Sequence, residues 1–236
     1  MRTTAGALKL KNEKYNANGA NKPPEKILVR FIHFPVETLG PGRRVGVWTQ
    51  GCSIRCEGCI SPENQAFDTA YSMPVDELAE QIFACAYGCD GVTISGGEPF
   101  DQAEELLSLL QKIGQIPDIL VYTGYTKEKI LREHSNVTKH ITALIDGEFK
   151  LGLPAEEVWK VSENQTLTVF RHEFAARYEV WAAERKGKLQ LVRKGGEIRL
   201  IGIPRQEDLP ALLARLRRGG NLPPAGSVTE NENKDL

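Results

Sequence analysis

Between residues 26 and 150 the chain alternates short apolar, β-branched runs with stretches in which apolar residues recur every three or four positions. Residues 27–34 and 44–49 are of the first kind, and Gly40-Pro41-Gly42 between them predicts a turn joining two strands. Residues 74–87 are of the second kind, with Val75, Leu78, Ile82, Phe83 and Ala86 at helical spacing and Ser72 ahead of them as an N-cap. The same reading predicts strands over 91–95, 118–122 and 140–145, an amphipathic helix over 101–113 and a shorter helix over 127–133. Strands alternating with helices of about a dozen residues predict an α/β fold of βαβ units on a parallel sheet.

Beyond residue 150 the pattern changes. It predicts a strand over 166–170 and either a helix, or a strand and then a helix, over 173–185. Strands over 189–192 and 198–203 flank a Lys194-Gly195-Gly196 turn, and a last helix follows over 209–216. These elements are expected to cap or extend the same sheet. Residues 1–25, rich in Asn, Lys, Gly and Ala with Pro23-Pro24 near their end, read as a flexible arm, and residues 219–236 read as a disordered tail. The organisation expected is one domain over 26–218, with its patterned core at 44–165 and a C-terminal extension at 166–218.

Composition narrows the partners. Thirty Lys and Arg against 31 Asp and Glu leave a net charge of -1, which is not the basic footprint of a nucleic-acid binder. No apolar run approaches the roughly 20 residues needed to cross a bilayer. The first 21 residues hold no apolar stretch of the kind a secretory leader uses, so the cytoplasm is the expected location.

Five cysteines are an odd number, and Cys52, Cys56 and Cys59 fall within eight residues. A secreted disulfide framework shows an even count spread along the chain, so this cluster points to metal or redox chemistry in a reducing compartment. The Cys-x3-Cys-x2-Cys spacing lets three thiolates converge from one irregular loop on one metal centre. A structural zinc or a closed [4Fe-4S] cluster takes four protein ligands, and no fourth Cys or His lies close in sequence. Three ligands leave one iron of a cluster open to another molecule. Inert thiols, or a zinc site completed from elsewhere in the chain, are the alternatives.

Together with its surroundings, Val47-Trp-Thr-Gln-Gly-Cys52 through Cys59-Ile-Ser-Pro-Glu63, this loop resembles the cluster loop of radical S-adenosylmethionine enzymes. The resemblance is closest to the single-cluster activating proteins of anaerobic ribonucleotide reductase, and Gly58 before the third cysteine is similar to that branch. It runs over roughly residues 44–165. Ser95-Gly96-Gly97-Glu98-Pro99 is similar to the family's GGEP stretch, which the resemblance implies holds the amino group of the methionine moiety. On the residues alone, its glycines would permit close backbone approach at a strand end. Val121-Tyr-Thr123-Gly124-Tyr125-Thr126 resembles a YTGY turn lining the cofactor cleft. Asp146-Gly-Glu-Phe149 resembles a DGPF stretch, with Glu148 in place of the proline, and Ser162-Glu-Asn164-Gln165 resembles an SSNQ stretch near the cofactor.

The resemblance thus implies a partial (β/α)6-type radical S-adenosylmethionine barrel with Cys52, Cys56 and Cys59 holding a [4Fe-4S] cluster. It implies that Gly96, Gly97, Glu98, Pro99, Thr123, Gly124, Tyr125, Asp146, Asn164 and Gln165 hold S-adenosylmethionine. The activity implied is reductive cleavage of that cofactor to a 5'-deoxyadenosyl radical, which activates a glycyl radical enzyme such as anaerobic ribonucleotide reductase. Electrons would come from a flavodoxin- or ferredoxin-type donor. A radical enzyme acting on another peptide or a small molecule, an iron–sulfur carrier or sensor, and a zinc-binding interaction module are the other readings. An open iron beside a GGEP-like turn argues against a carrier, which gains from a closed, four-cysteine cluster.

Other conspicuous residues read as structural. Cys85 and Cys89 resemble small core hydrophobes. His33, His134, His140 and His172 are scattered, Glu104, Glu105, Arg215, Arg217 and Arg218 suit solvated faces, and Trp159 and Trp181 suit packing.

Overall fold

The computed structural model describes residues 25–184, 189–194 and 197–205. Its elements are β1 (Lys26–Val36), β2 (Arg44–Thr49), β3 (Ser72–Pro74), α1 (Val75–Cys85), β4 (Gly91–Gly96), α2 (Ala103–Lys112) and β5 (Ile119–Tyr122). There follow α3 (Lys127–Glu133), α4 (Ser135–Thr138), β6 (Ala143–Asp146), β7 (Thr166–Val169), α5 (Ala175–Ala182), β8 (Gln190–Lys194) and β9 (Glu197–Ile201). Among the described residues, seven strands form one sheet in the order β3-β1-β2-β4-β5-β6-β7. The central four, β2, β4, β5 and β6, run parallel and in chain order, while β1, β3 and β7 are added antiparallel.

The period-2 alternation of the strands decides which side chains meet which layer. Val47, Ile94, Val121 and Leu144 form one cross-strand row. That row packs with Leu78 and Ile82 of α1, Leu106, Leu109 and Leu110 of α2, Ile130 of α3 and Val137 of α4. Each fully buried side chain of this size contributes about 1.5–3 kcal/mol of burial free energy. The intervening residues Leu120, Ala143 and Ile145 face the opposite way and meet Trp159, Tyr178 and Trp181. All the crossover helices therefore cover a single face. A parallel sheet that advances in one direction with right-handed crossovers winds in this way, and its chain order shows no reversal.

A buried ion pair fixes the N-terminal edge of the parallel strands. Arg44, fully buried, donates to Asp118 Oδ2 at 2.7 Å, Thr93 Oγ1 at 2.7 Å and the Val92 carbonyl at 2.8 Å. Tyr178 Oη donates to Asp118 Oδ1 at 2.7 Å, so α5 is tied to β2, β4 and the start of β5.

Several expectations from the sequence need correction. Ser72 does not cap α1 but lies in β3; the helix starts after Pro74, and Val75 N–H donates to the Glu25 carbonyl at 2.9 Å. The helix expected over 101–113 begins with a 3-10 turn, Pro99–Gln102, because Glu98 caps that turn through Phe100 N–H. The strand expected from residue 140 starts at Ala143, since Thr142 uses its side chain to accept from Ile119 N–H at 3.0 Å. Of the late elements among the described residues, only β7 extends the sheet. β8 and β9 form a separate two-stranded sheet that packs, through Val192 and Ile201, on Phe31, Val36 and Leu39. Residues 1–24 and 206–236, with the expected arm, last helix and tail, lie outside the described residues.

Candidate functional site

Each of the four parallel strands ends in a segment that lines one cavity of about 220 Å³. β2 leads into the cysteine loop, β4 into Gly97 and Glu98, β5 into Thr123 and Gly124, and β6 into Gly147 and Phe149. The carboxyl edge of a parallel sheet is where such folds gather ligands, because neighbouring loops diverge there and leave a crevice.

The cysteine loop is held at both ends. Gly51 N–H donates to the Asn64 carbonyl at 2.8 Å and Cys52 N–H to the Gln65 carbonyl at 3.0 Å. Gln50, buried, donates through Nε2 to the Ala66 carbonyl at 2.6 Å. Within this closed loop Arg55 adopts a left-handed φ of 53°, sparsely populated for a side chain of this size. The turn aims the backbone N–H groups of Ile54 and Arg55 at the Cys52 sulfur. Gly58, with φ 70°, supplies the second left-handed residue without a Cβ penalty.

Cys52, Cys56 and Cys59 all line the cavity and are partly exposed. Burial pushes the Cys52 and Cys56 thiols above their ordinary range; Cys56 also feels Glu148 and the other two cysteines, while the Phe149 N–H opposes the shift. A metal that takes these sulfurs as thiolates must displace their protons. In a [4Fe-4S] cluster each cysteine binds a different iron, so its thiolates surround a volume rather than a point. A cavity with three thiols on its wall offers that volume. Among the described residues no group of three His, Cys, Asp or Glu side chains is placed to hold a single metal ion.

Beside the thiols, Gly96 and Gly97 knit the β4 turn to the cysteine loop. Gly97 N–H donates to the Thr49 carbonyl and Glu98 N–H to the Gly51 carbonyl, both at 2.8 Å. A Cβ on Gly97 would collide with that Gly51 carbonyl, and one on Gly96 with the backbone of Thr49. The glycines are thus required first by the contact between the two loops, not only by the approach of a ligand. Glu98 is buried at the floor, accepting from Phe100 N–H at 2.9 Å, Thr123 Oγ1 at 2.7 Å and Gly124 N–H at 2.8 Å. Burial outweighs these donors and raises its pKa to about 7.

Of the expected cofactor residues, Gly96, Gly97, Glu98, Thr123, Gly124 and Gln165 line the cavity and Pro99, Tyr125, Asp146 and Asn164 do not. Pro99 is buried at the start of the 3-10 turn. Asp146 has both oxygens engaged, accepting from Lys127 N–H at 2.8 Å at the start of α3 and from Thr166 Oγ1 at 2.6 Å. Asn164 donates to the Glu148 carbonyl at 2.8 Å, and Gln165 to the Gly147 carbonyl at 2.9 Å. These polar residues shape the loops that bear the cavity wall.

Tyr125 belongs to a network that sequence reasoning missed. Its hydroxyl donates to Asp101 Oδ1 at 2.6 Å, and Ser53, next to Cys52, donates its N–H to Asp101 Oδ2 at 2.6 Å and its hydroxyl to Oδ1 at 3.0 Å. Proximity to the GGEP-like stretch was the only available signal for Asp101. For Leu200 to Pro204, which close one side of the cavity, the sequence held none. Cys85 and Cys89 pack against the main core, away from the site, as expected of small hydrophobes, and Trp159 and Trp181 are buried.

Residues 38–168 match the family described as a 4Fe-4S single cluster domain. An anaerobic ribonucleoside-triphosphate reductase-activating protein of Enterobacteria phage T4 is 34% identical over 136 residues, which cover 54% of this chain and 85% of that protein. The chain belongs to this activating-protein family. The Escherichia coli K12 member is 28% identical over 148 residues, covering 57% of this chain and 94% of its own length. The Haemophilus influenzae member is 28% identical over 150 residues, covering 59% and 96%. Nearly all of each relative is thus matched by little more than half of this chain, and α5, β8 and β9 lie beyond the matched domain.

Proposed function

We propose that this chain activates an anaerobic ribonucleoside-triphosphate reductase, or a similar glycyl radical enzyme, as a radical S-adenosylmethionine enzyme. The observation that carries the reading is the convergence of three cysteines and the GGEP-like turn on one cavity at the ends of four parallel strands. In this reading the sheet is the wall of a partial (β/α)6-type barrel, and the single winding direction of its parallel strands supports that.

Cys52, Cys56 and Cys59 would hold the cluster and leave one iron for the amino and carboxylate groups of S-adenosylmethionine, the cofactor this family uses with the cluster. The chemistry supplied when both are bound is one-electron cleavage of the sulfonium carbon–sulfur bond, giving methionine and a 5'-deoxyadenosyl radical that takes a hydrogen atom from a glycine Cα of the partner. The chain's own residues orient and enclose. The β4 turn through Gly97 and the β5 turn through Gly124 offer backbone against the ligand. Trp48, Ile54, Phe149 and Ile203 surround the site with apolar surface that keeps water from a radical. Asp146, Asn164, Tyr125 and Pro99 serve by positioning these loops. The electron donor would be a low-potential flavodoxin or ferredoxin, and the setting the cytoplasm, with neither nucleic acid nor membrane as a partner. No helix among the described residues is long and apolar enough to cross a membrane.

Anaerobic reconstitution followed by dithionite and S-adenosylmethionine tests the reading. We expect 5'-deoxyadenosine by mass spectrometry from the parent and none from Cys56→Ala. We also expect Cys52→Ala, Cys56→Ala and Cys59→Ala to lose the cluster while Cys85→Ala and Cys89→Ala keep it. Full iron and sulfide in Cys56→Ala would overturn the ligand assignment.

A further inference from the structure

Cys56 and Cys59 have a relation that Cys52 does not share. Cys59 N–H donates to the Cys56 carbonyl at 3.3 Å and closes a four-residue turn, Cys56-Glu57-Gly58-Cys59. Gly58, third in that turn, has a φ of 70° while Glu57 keeps a negative one, the combination of a type II turn, which calls for glycine at this place. Such a turn holds its first and last Cα atoms within about 7 Å, and disulfides bridge Cα atoms about 4.4 to 6.8 Å apart. Both cysteines are partly exposed on the cavity wall, and the Cys56 thiol feels Cys59 more strongly than Cys52.

Cys52 is held apart from this pair. Its N–H donates to the Gln65 carbonyl, the N–H groups of Ile54 and Arg55 face its sulfur, and Ser53 after it is tied to Asp101. Among the described residues no backbone hydrogen bond closes a turn from Cys52 to Cys56, and the left-handed Arg55 lies between them. The remaining two cysteines, Cys85 and Cys89, lie against the main core.

We propose that the cluster-free chain carries a reversible redox site, a disulfide between Cys56 and Cys59 that a small disulfide oxidant of the glutathione class forms and a dithiol opens. The thiolate of one cysteine attacks the oxidant and expels one thiolate; the second cysteine then attacks the mixed disulfide and expels the other. One sulfur–sulfur bond forms as one breaks. The two electrons given up by the cysteines reside on the two released thiolates, which also take up the two protons. The bond withdraws two of the three candidate cluster ligands together, because a metal binds thiolates. It also keeps both sulfurs from the irreversible sulfinic and sulfonic steps of oxidation. Iron is then accepted only after a dithiol has acted. The link stands on the geometry of the turn and goes beyond the proposed function; only its effect on iron uses the ligand reading.

The test uses the full cluster-free chain with Cys85→Ala and Cys89→Ala, so that the loop cysteines are the only thiols. After anaerobic equilibration with oxidised glutathione and alkylation, trypsin cuts after Arg55 and parts Cys52, on residues 45–55, from the pair on residues 56–112. Mass spectrometry should find the longer peptide two hydrogens lighter and without an alkyl group, in at least about tenfold excess over any species joining the two peptides. Dithiothreitol should reverse the change. Offered a [4Fe-4S] cluster on a carrier protein without free thiol or sulfide, the oxidised chain should take up iron at less than about a tenth of the rate of the reduced chain. Peptides joined through Cys52, glutathione adducts with no internal bond, or three alkylated cysteines each overturn the proposal, and so does equal iron uptake by the two forms. No iron in either form strikes the cluster reading, while the peptide masses still decide the link.

Discussion

Glu98 shows how little a motif letter says about the state of its side chain. A carboxyl with three donors within 2.9 Å would ordinarily ionise readily, but complete burial prevails and holds its pKa near 7 against an ordinary 4.5. Between those values the folded chain binds more protons at this site than the unfolded chain. Its stability is therefore full below about pH 4.5 and declines as pH rises to about 7, by about 3 kcal/mol for the 2.5-unit difference. Denaturant unfolding of the cluster-free chain at pH 5 and pH 7.5, compared with Glu98→Gln, should show this slope in the parent and its flattening in the variant. A parent that gains stability over that interval relative to the variant would refute the account. Gly97 makes a second point at the same scale. Gly97→Ala must push against the Gly51 carbonyl beside Cys52, so we expect it to reduce reconstituted iron as well as cofactor affinity. Calorimetry and iron analysis on one preparation would separate these; weakened cofactor binding with full iron would show that the loop contact yields easily.

At the scale of elements, much of the architecture was readable because it depends on local periodicity. The strands at Arg44–Thr49 and Gly91–Gly96 and the helix at Lys127–Glu133 appear where alternation or helical spacing placed them. Boundaries were lost where a long-range partner overrode a local signal. Ser72 was a plausible cap until β1 claimed it as a strand neighbour, and Asp101 was an ordinary first-turn residue until Ser53 and Tyr125 met it. The roles of Asp101 and of Asp146 depend on which strand ends lie side by side, which no local pattern encodes. Asp101→Ala removes three hydrogen bonds that tie the cysteine loop to the β4 and β5 turns. Charge-assisted bonds of this kind contribute about 1.5–3 kcal/mol each when buried and less when exposed as here. We expect the variant to fold and to lose its cluster roughly tenfold faster under a chelator, a rate ratio equivalent to about 1.4 kcal/mol. An unchanged loss rate would mean that the loop's own closure through Gln50, Gly51 and Cys52 suffices.

Over the whole molecule, the two edges of the parallel sheet divide the labour. The carboxyl edge carries glycines, left-handed turns and partly exposed thiols, whereas the amino edge is sealed by Arg44, Asp118 and Tyr178. Asp118→Asn should leave the Arg44 charge without its counterion in a fully buried site and cost about 3–5 kcal/mol. The resulting fall in Tm should exceed that of any single cysteine substitution in the cluster-free chain. A change within about 0.5 kcal/mol would mean that the four neutral acceptors of Arg44, Thr93 Oγ1 and the carbonyls of Pro41, Val92 and Asp118, are enough. The sequence disclosed this division poorly, because Arg44 and Asp118 stand 74 positions apart and neither belongs to a motif. The C-terminal hairpin was read as strands that cap or extend the main sheet, and it caps: it packs on β1 as a separate two-stranded sheet, a choice periodicity leaves open because it identifies an extended segment without saying which neighbour it will find.

The consecutive thiols leave the ribosome long before the wall that shelters them. About 140 residues separate Cys59 from Gly202, which at ordinary elongation rates is roughly 7 to 30 seconds of synthesis. For that interval the cavity lacks one side, and the ends of β4, β5 and β6 that flank the cysteines are added one after another. A sheltered site for iron is therefore complete only once the segment through Pro204 is made. A growth condition that slows translation while admitting air should lower the yield of loaded protein more than the yield of protein.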